Sequence, residues 1–225
     1  MLGNSQLHCR NGRRRRRRAL PRNSGRHREP RDSPPRVGDP VSGAIVGLDP
    51  SMGAAGMAIL RNPRVVEGRN RPELKTIGTQ NTGGTISQRA MRIGLQGDRI
   101  VEALPDRIRL VLVEGMPFRQ PKFSGLYQER CALLYSVTRF LARRGIPVIE
   151  VSVTTIKYFA TGNGQAEKED VEKAMGELWP DANIHNDNES DALAIATIGA
   201  QKLGWYEPEL PCHYAPKIDW TGVNG

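Results

Sequence analysis

The sequence predicts an α/β fold: a mixed five-stranded sheet, an antiparallel meander continued by parallel strands, flanked by helices. Three observations predict it. Short apolar runs are punctuated by Gly, Pro, Asn and Asp and read as strands. Longer stretches repeat their apolar residues at helical spacing and read as helices. The order is three strands, a helix, then strands and helices in alternation, so the early strands pair through short turns and the later ones need parallel crossovers.

Ala44-Ile45-Val46-Gly47-Leu48 is an apolar run stopped at Asp49-Pro50, a buried strand ending in a loop. Gly56–Leu60 follows a turn of small residues and completes a hairpin, and Leu74–Thr79 is the third strand. Ile86–Leu104 carries Ile86, Ala90, Ile93, Ile100 and Val101, a helix of uneven amphipathicity. Leu110–Val113 is a strongly apolar strand that ends at Glu114. Leu126–Ala142 sets Leu126, Leu133, Leu134, Val137 and Leu141 near helical period, and Pro147–Val151 is the fifth strand. Ala166–Leu178 and Glu189–Leu203 are the last helices, and the tail from Glu207 is Pro-rich and irregular.

Charge divides the chain. Residues 1–41 hold twelve Arg against Glu29, Asp32 and Asp39, which is the whole of the net +9; residues 42–225 hold 21 basic and 21 acidic side chains. The first segment has too few apolar residues to offset its ordering entropy and is expected to be a disordered Arg-rich tail. It serves either as an arm that displaces counterions from nucleic-acid phosphates or as a leader with no specific role. Residues 42–205 form the folded domain and 206–225 an irregular C-terminal tail. No apolar run reaches the ~18 residues of a membrane span. The basic N-terminus lacks the apolar stretch of a secretory signal. Cys9, Cys131 and Cys212 fit neither a disulfide framework nor a zinc site. A cytoplasmic protein is expected, with an Arg-rich organelle presequence as the lesser alternative. Thr161-Gly162-Asn163-Gly164 lacks the spacing and the Gly-Lys-Ser/Thr ending of a phosphate-binding P-loop, so no nucleotide cofactor is expected.

The acids fall at telling places. Asp49 and Glu114 each end an apolar strand, and Asp191 stands on the first turn of a helix that is otherwise nearly all Ala, Leu and Ile. Packing that helix on the sheet carries Asp191 inward, and several buried carboxylates together require a cation. All-oxygen sets suit Mg²⁺ or Mn²⁺ rather than zinc. Each acid alone also has a plainer use: Asp49 as a turn residue, Glu114 as an exposed strand end, Asp187 or Asn188 as a cap on the last helix.

The surroundings of these acids resemble RuvC-type Holliday junction resolvases. Ile45-Val46-Gly47-Leu48-Asp49-Pro50-Ser51 with Gly56 is similar to their opening motif, and Val113-Glu114 with Phe118 to their second. Thr155-Ile156-Lys157 and Thr161–Val171 resemble their basic segment, and Glu189–Ala196 their closing acidic helix. The four blocks stand in family order across residues 43–203.

The resemblance implies an RNase H-like fold in which the first strand lies beside the fourth. Asp49 and Glu114 then face Asp191, and Mg²⁺ (or Mn²⁺), two ions per active site, is held for phosphodiester hydrolysis without a histidine base. A fourth ligand is expected three residues before Asp191, where Asn188 stands; Asp187 adjoins it, and both spacings return to one helix face. Lys157 and Lys168 match the family's phosphate-binding positions. Phe118, with Arg119 and Lys122, suits a wedge at a branch point or, alternatively, an apolar loop anchor. Homodimerisation through Leu126–Ala142 would supply two symmetric cuts. The implied activity is resolution of four-way and other branched DNA in recombination and repair. The rivals are a broader nuclease of flaps, forks or hybrids, and a non-catalytic junction binder whose site has decayed at Asn188.

Overall fold

The structure, a computed structural model, describes residues 36–37, 43–64, 71–79, 83–116, 126–206 and 217–223. Phe118, Arg119 and Lys122 lie outside these, as do residues 1–35 of the Arg-rich segment.

The elements are β1 (Arg36–Val37), β2 (Ala44–Asp49), β3 (Ala55–Leu60), β4 (Glu73–Ile77), α1 (Ile86–Ala103), β5 (Arg107–Glu114), α2 (Tyr127–Ala142), β6 (Val148–Val151), α3 (Val153–Thr161), α4 (Lys168–Leu178) and α5 (Asp187–Lys202). Strand β2 is antiparallel to β3, and β3 to β4, which is the predicted meander. On its other side β2 lies parallel to β5, and β5 parallel to β6. The five predicted strands form this one sheet. The two-residue β1 joins it at the start of β5, opposite Arg107 and Ile108. It lies within the segment read as a tail; the pairing is through main chain and Val37 is exposed, so composition carries no trace of it.

Helices α5, α4 and α3 cover one face over Ile45, Ala58, Leu60, Leu110 and Leu112. Helices α1 and α2 cover the other over Val46, Leu48, Met57, Ile59, Val111 and Val113. The alternation is what the pleat requires. A register shift on β5 sets which side Glu114 faces. Ala44 pairs with Ile108 but Ile45 with Leu110, so Arg109 is an extra residue. Ile108 therefore points to the α1–α2 layer while Leu110 and Leu112 point to α5, and Glu114, two residues on, points with them.

Two readings are corrected. Residues 153–161, left outside any predicted helix, form α3. Its β-branched Val153-Thr154-Thr155-Ile156 run is a weak helix former, yet Ser152 Oγ accepts from the Thr155 N–H at 3.2 Å and Gly162 ends the helix at φ 76°. Helix α5 starts earlier than expected, because its N-cap is Asn186, whose Oδ1 accepts from the Glu189 N–H at 3.0 Å; neither Asp187 nor Asn188 caps it. Asp191 thus lies in the second turn, not the first. Beyond α5 the chain has no regular structure over 217–223, but Trp205, Tyr206, Ile218, Trp220 and Val223 pack on the α3–α5 side of the core, and Tyr206 stacks on Trp179 at 4.5 Å between ring centroids.

Candidate metal centre

The site stands where two parallel strands end together. Leu48 pairs with Val113, so the next residues, Asp49 and Glu114, end β2 and β5 side by side. Asp191 comes to them on α5. Gly47 and Gly56 let that helix lie almost on the sheet backbone: a β-carbon on Gly56 would meet the Asn188 carbonyl oxygen at 1.9 Å. A hydrogen-bond network fixes where α5 begins. Thr76 Oγ1 of β4 donates to Glu189 Oε1 at 2.7 Å and accepts from Asn186 Nδ2 at 2.8 Å, and the His185 N–H donates to Glu189 Oε2 at 2.9 Å.

In consequence one carboxylate oxygen from each of Asp49, Glu114 and Asp191 lies within 4.8 Å of the others. Asp49 and Glu114 are buried, and Asp191 is half-buried. Burial, then the charges of Asp49 and Asp191, push the Glu114 carboxyl up to about 8. Burial, then Asp49, raises Asp191 to about 6. Asp49 is also raised by burial, against the opposing pull of Arg130 and Lys168. Three carboxylates in such a place cannot all ionise without added positive charge, and oxygen-only donors at this separation fit a hard divalent cation.

Arg130 and Lys168 border the cluster. Arg130 of α2 places Nη2 3.5 Å from Asp49 Oδ1 and 3.6 Å from Glu114 Oε1, and its Nε donates to the Pro50 carbonyl at 3.2 Å. Lys168 forms an ion pair with Asp187, which raises the lysine and lowers the acid below the usual carboxylate range. Its charge also reaches Asp49, Glu114 and Asp191.

Of the residues singled out in the sequence, Asp49, Glu114 and Asp191 converge. Asp187 stands one turn before Asp191 on α5 with its carboxylate on Lys168, outside the three-oxygen cluster. Asn188, the alternative fourth ligand, is half-buried beside it. Lys157 lies on α3 and Lys168 opens α4, and both bear electrostatically on Asp191. Sequence reasoning missed Arg130, which sits on a helix whose apolar spacing explains it as core cover; the only signal was the charged Glu129-Arg130 pair on that helix. It also missed the bracing role of Glu189, a residue quoted only as part of a motif.

A mixed sheet of this order, with acids at the adjacent ends of two parallel strands and on the helix laid across them, defines a nuclease of the RNase H-like class. The family model for the crossover junction endodeoxyribonuclease RuvC matches residues 45–198, the span from β2 through most of α5. The chain belongs to the RuvC family. Its relatives include RuvC of Synechococcus sp. strain CC9311, 26% identical with 72% of this chain and 98% of that one covered. RuvC of Synechococcus sp. strain RCC307 is 30% identical, with coverage of 67% and 94%. Among solved structures, Thermus thermophilus RuvC in complex with a Holliday junction substrate is similar with a TM-score of 0.55 at 23% identity, covering 73% of this chain and 98% of that one.

Proposed function

We propose that this protein is a metal-dependent endonuclease that resolves four-way and other branched DNA junctions by symmetric phosphodiester hydrolysis in recombination and repair. The observation that carries it is the convergence of the Asp49, Glu114 and Asp191 oxygens within 4.8 Å at the end of the sheet. The relatives bear the name crossover junction endodeoxyribonuclease, and the T. thermophilus structure holds a Holliday junction.

Asp49, Glu114 and Asp191 would hold Mg²⁺, or Mn²⁺ in its place, as a pair of ions. Bound there, the metal activates water and neutralises charge on the phosphate. Asp187 is the fourth ligand when Lys168 leaves it for a DNA phosphate; Asn188, the alternative, offers only a neutral amide oxygen. Lys157 and Lys168 border the cluster where a scissile strand must pass. Phe118, with Arg119 and Lys122, enters the branch point, and the Arg-rich segment adds affinity without selectivity.

Two symmetric cuts call for a homodimer. The α1–α2 layer suits its interface, because Ile86, Met91 and Leu95 of α1 and Tyr135 of α2 are exposed there. Among the described residues no helix is long and apolar enough to cross a membrane. The reading needs no nucleotide cofactor and places the enzyme in the cytoplasm with its DNA.

The test is an end-labelled four-way junction set beside a flap, a fork, an RNA–DNA hybrid and a linear duplex, each with Mg²⁺. Paired nicks on opposing strands of the junction, at least about tenfold faster than on the other substrates, are expected. Equal cutting of all five overturns the resolvase reading in favour of a general nuclease. Tight junction binding with no cut overturns the enzymatic one.

A further inference from the structure

Arg130 reaches the acids from the layer opposite α5. It is carried by α2, yet its guanidinium rounds the end of the sheet to Asp49 Oδ1, Glu114 Oε1 and the Pro50 carbonyl. Its neighbour Glu129 does not neutralise it, because that carboxylate is turned to Arg92 and Arg89 of α1. Both carboxylates that Arg130 faces belong to the set that would hold a metal, so guanidinium and metal seek the same charge. The arginine side chain is about one-third exposed, at 32%, and can withdraw into solvent without an unpaired charge being left buried.

We propose that Arg130 is a positioning residue: a resident counter-charge that keeps Asp49 and Glu114 side by side in the metal-free protein and competes with the divalent ion for them, which rests on the metal-dependent reading above. The chain thereby folds with its acids aligned before any metal arrives, and its metal affinity is set below what the acids alone would give.

Mn²⁺ titrated by calorimetry into the wild type, Arg130→Met and Arg130→Lys at one fixed pH tests this, with the melting temperature of each metal-free protein measured alongside. Arg130→Met is expected to melt lower without metal and yet to bind Mn²⁺ about tenfold more tightly, since a unit positive charge has left the neighbourhood of the ion. Arg130→Lys keeps the charge and stays within about threefold of the wild type. An arginine that merely packs would lower the melting temperature and leave Mn²⁺ binding unchanged or weaker, and that result overturns the proposal.

A second comparison does not depend on metal. Measured above pH 8, where the wild-type Glu114 carboxyl is ionised, a Glu114→Gln background lacks one of the two repelling charges, so adding Arg130→Met should lower the melting temperature by less than half as much as in the wild type. Folding only in that background is the same result in stronger form. An equal drop in both backgrounds, or failure to fold in both, overturns it. A wild type that binds no Mn²⁺ counts against the metal reading, and the Glu114→Gln comparison still decides the role of Arg130.

Discussion

A β-carbon placed on Gly47 would lie 2.1 Å from the carbonyl oxygen of Ala192. The closing helix therefore rests on the central strand with no side chain between them, and Ala192 is the residue next to Asp191. The closeness of helix to sheet and the closeness of Asp191 to Asp49 are one fact. Gly47→Ala should push α5 outward, destabilising the protein by about 1–3 kcal/mol and lowering Mn²⁺ affinity by about tenfold or more. Gly53→Ala is the control, because nothing lies within 4 Å of its added carbon. Denaturant titration and calorimetry of both variants check this; equal metal affinity in the two would uncouple the packing from the site.

The pH dependence of the metal-free protein has a definite sign. Glu114, ordinarily 4.5, is raised to about 8, and Asp191, ordinarily 3.8, to about 6. Both hold their protons more tightly folded than unfolded. Their contribution is complete below about pH 4 and is lost as pH rises through about 6 and then about 8, amounting to a few kcal/mol. Melting curves without metal should fall over that window, Glu114→Gln should flatten the upper part, and Mg²⁺ should restore the wild type. A metal-free stability that rises between pH 5 and 8 would contradict the burial of these groups as acids.

Lys168 and Lys157 border the cluster without joining it, so their loss should weaken DNA more than metal. Lys168→Met and Lys157→Met should each reduce the slope of log affinity against log salt for a four-way junction by about 0.9, the mark of one lost phosphate contact. Filter binding across a salt series reads it. An unchanged slope would make these lysines ordinary surface charges.

Much of this was legible in the sequence, for reasons particular residues make plain. Apolar runs ending in Asp49 and Glu114 marked two strands whose acidic ends come together, and the Ala-rich helix after Asp191 showed that this acid must go inward. Helix α3 was not legible, since its β-branched start argues against helix and only Ser152, Gly162 and the burial of Ile156 and Phe159 reverse the preference. Nor was the extra residue Arg109 on β5, because a bulge shows itself only when two strands are laid in register. Arg130 was hidden by the very periodicity that found its helix, and Glu189 by partners more than a hundred residues away, where Thr76 stands.

The most direct measurement of the central claim is junction cleavage by the wild type, Asp49→Asn and Asp191→Asn across a Mg²⁺ titration, with a chelator as the zero point. The two variants keep shape and lose one charge each at the cluster. Metal-dependent paired nicks by the wild type, slowed about a thousandfold or more in both variants while junction binding persists, are expected. Cleavage that survives the chelator, or that is undiminished in Asp49→Asn, would contradict the assignment of this carboxylate cluster as the catalytic metal site.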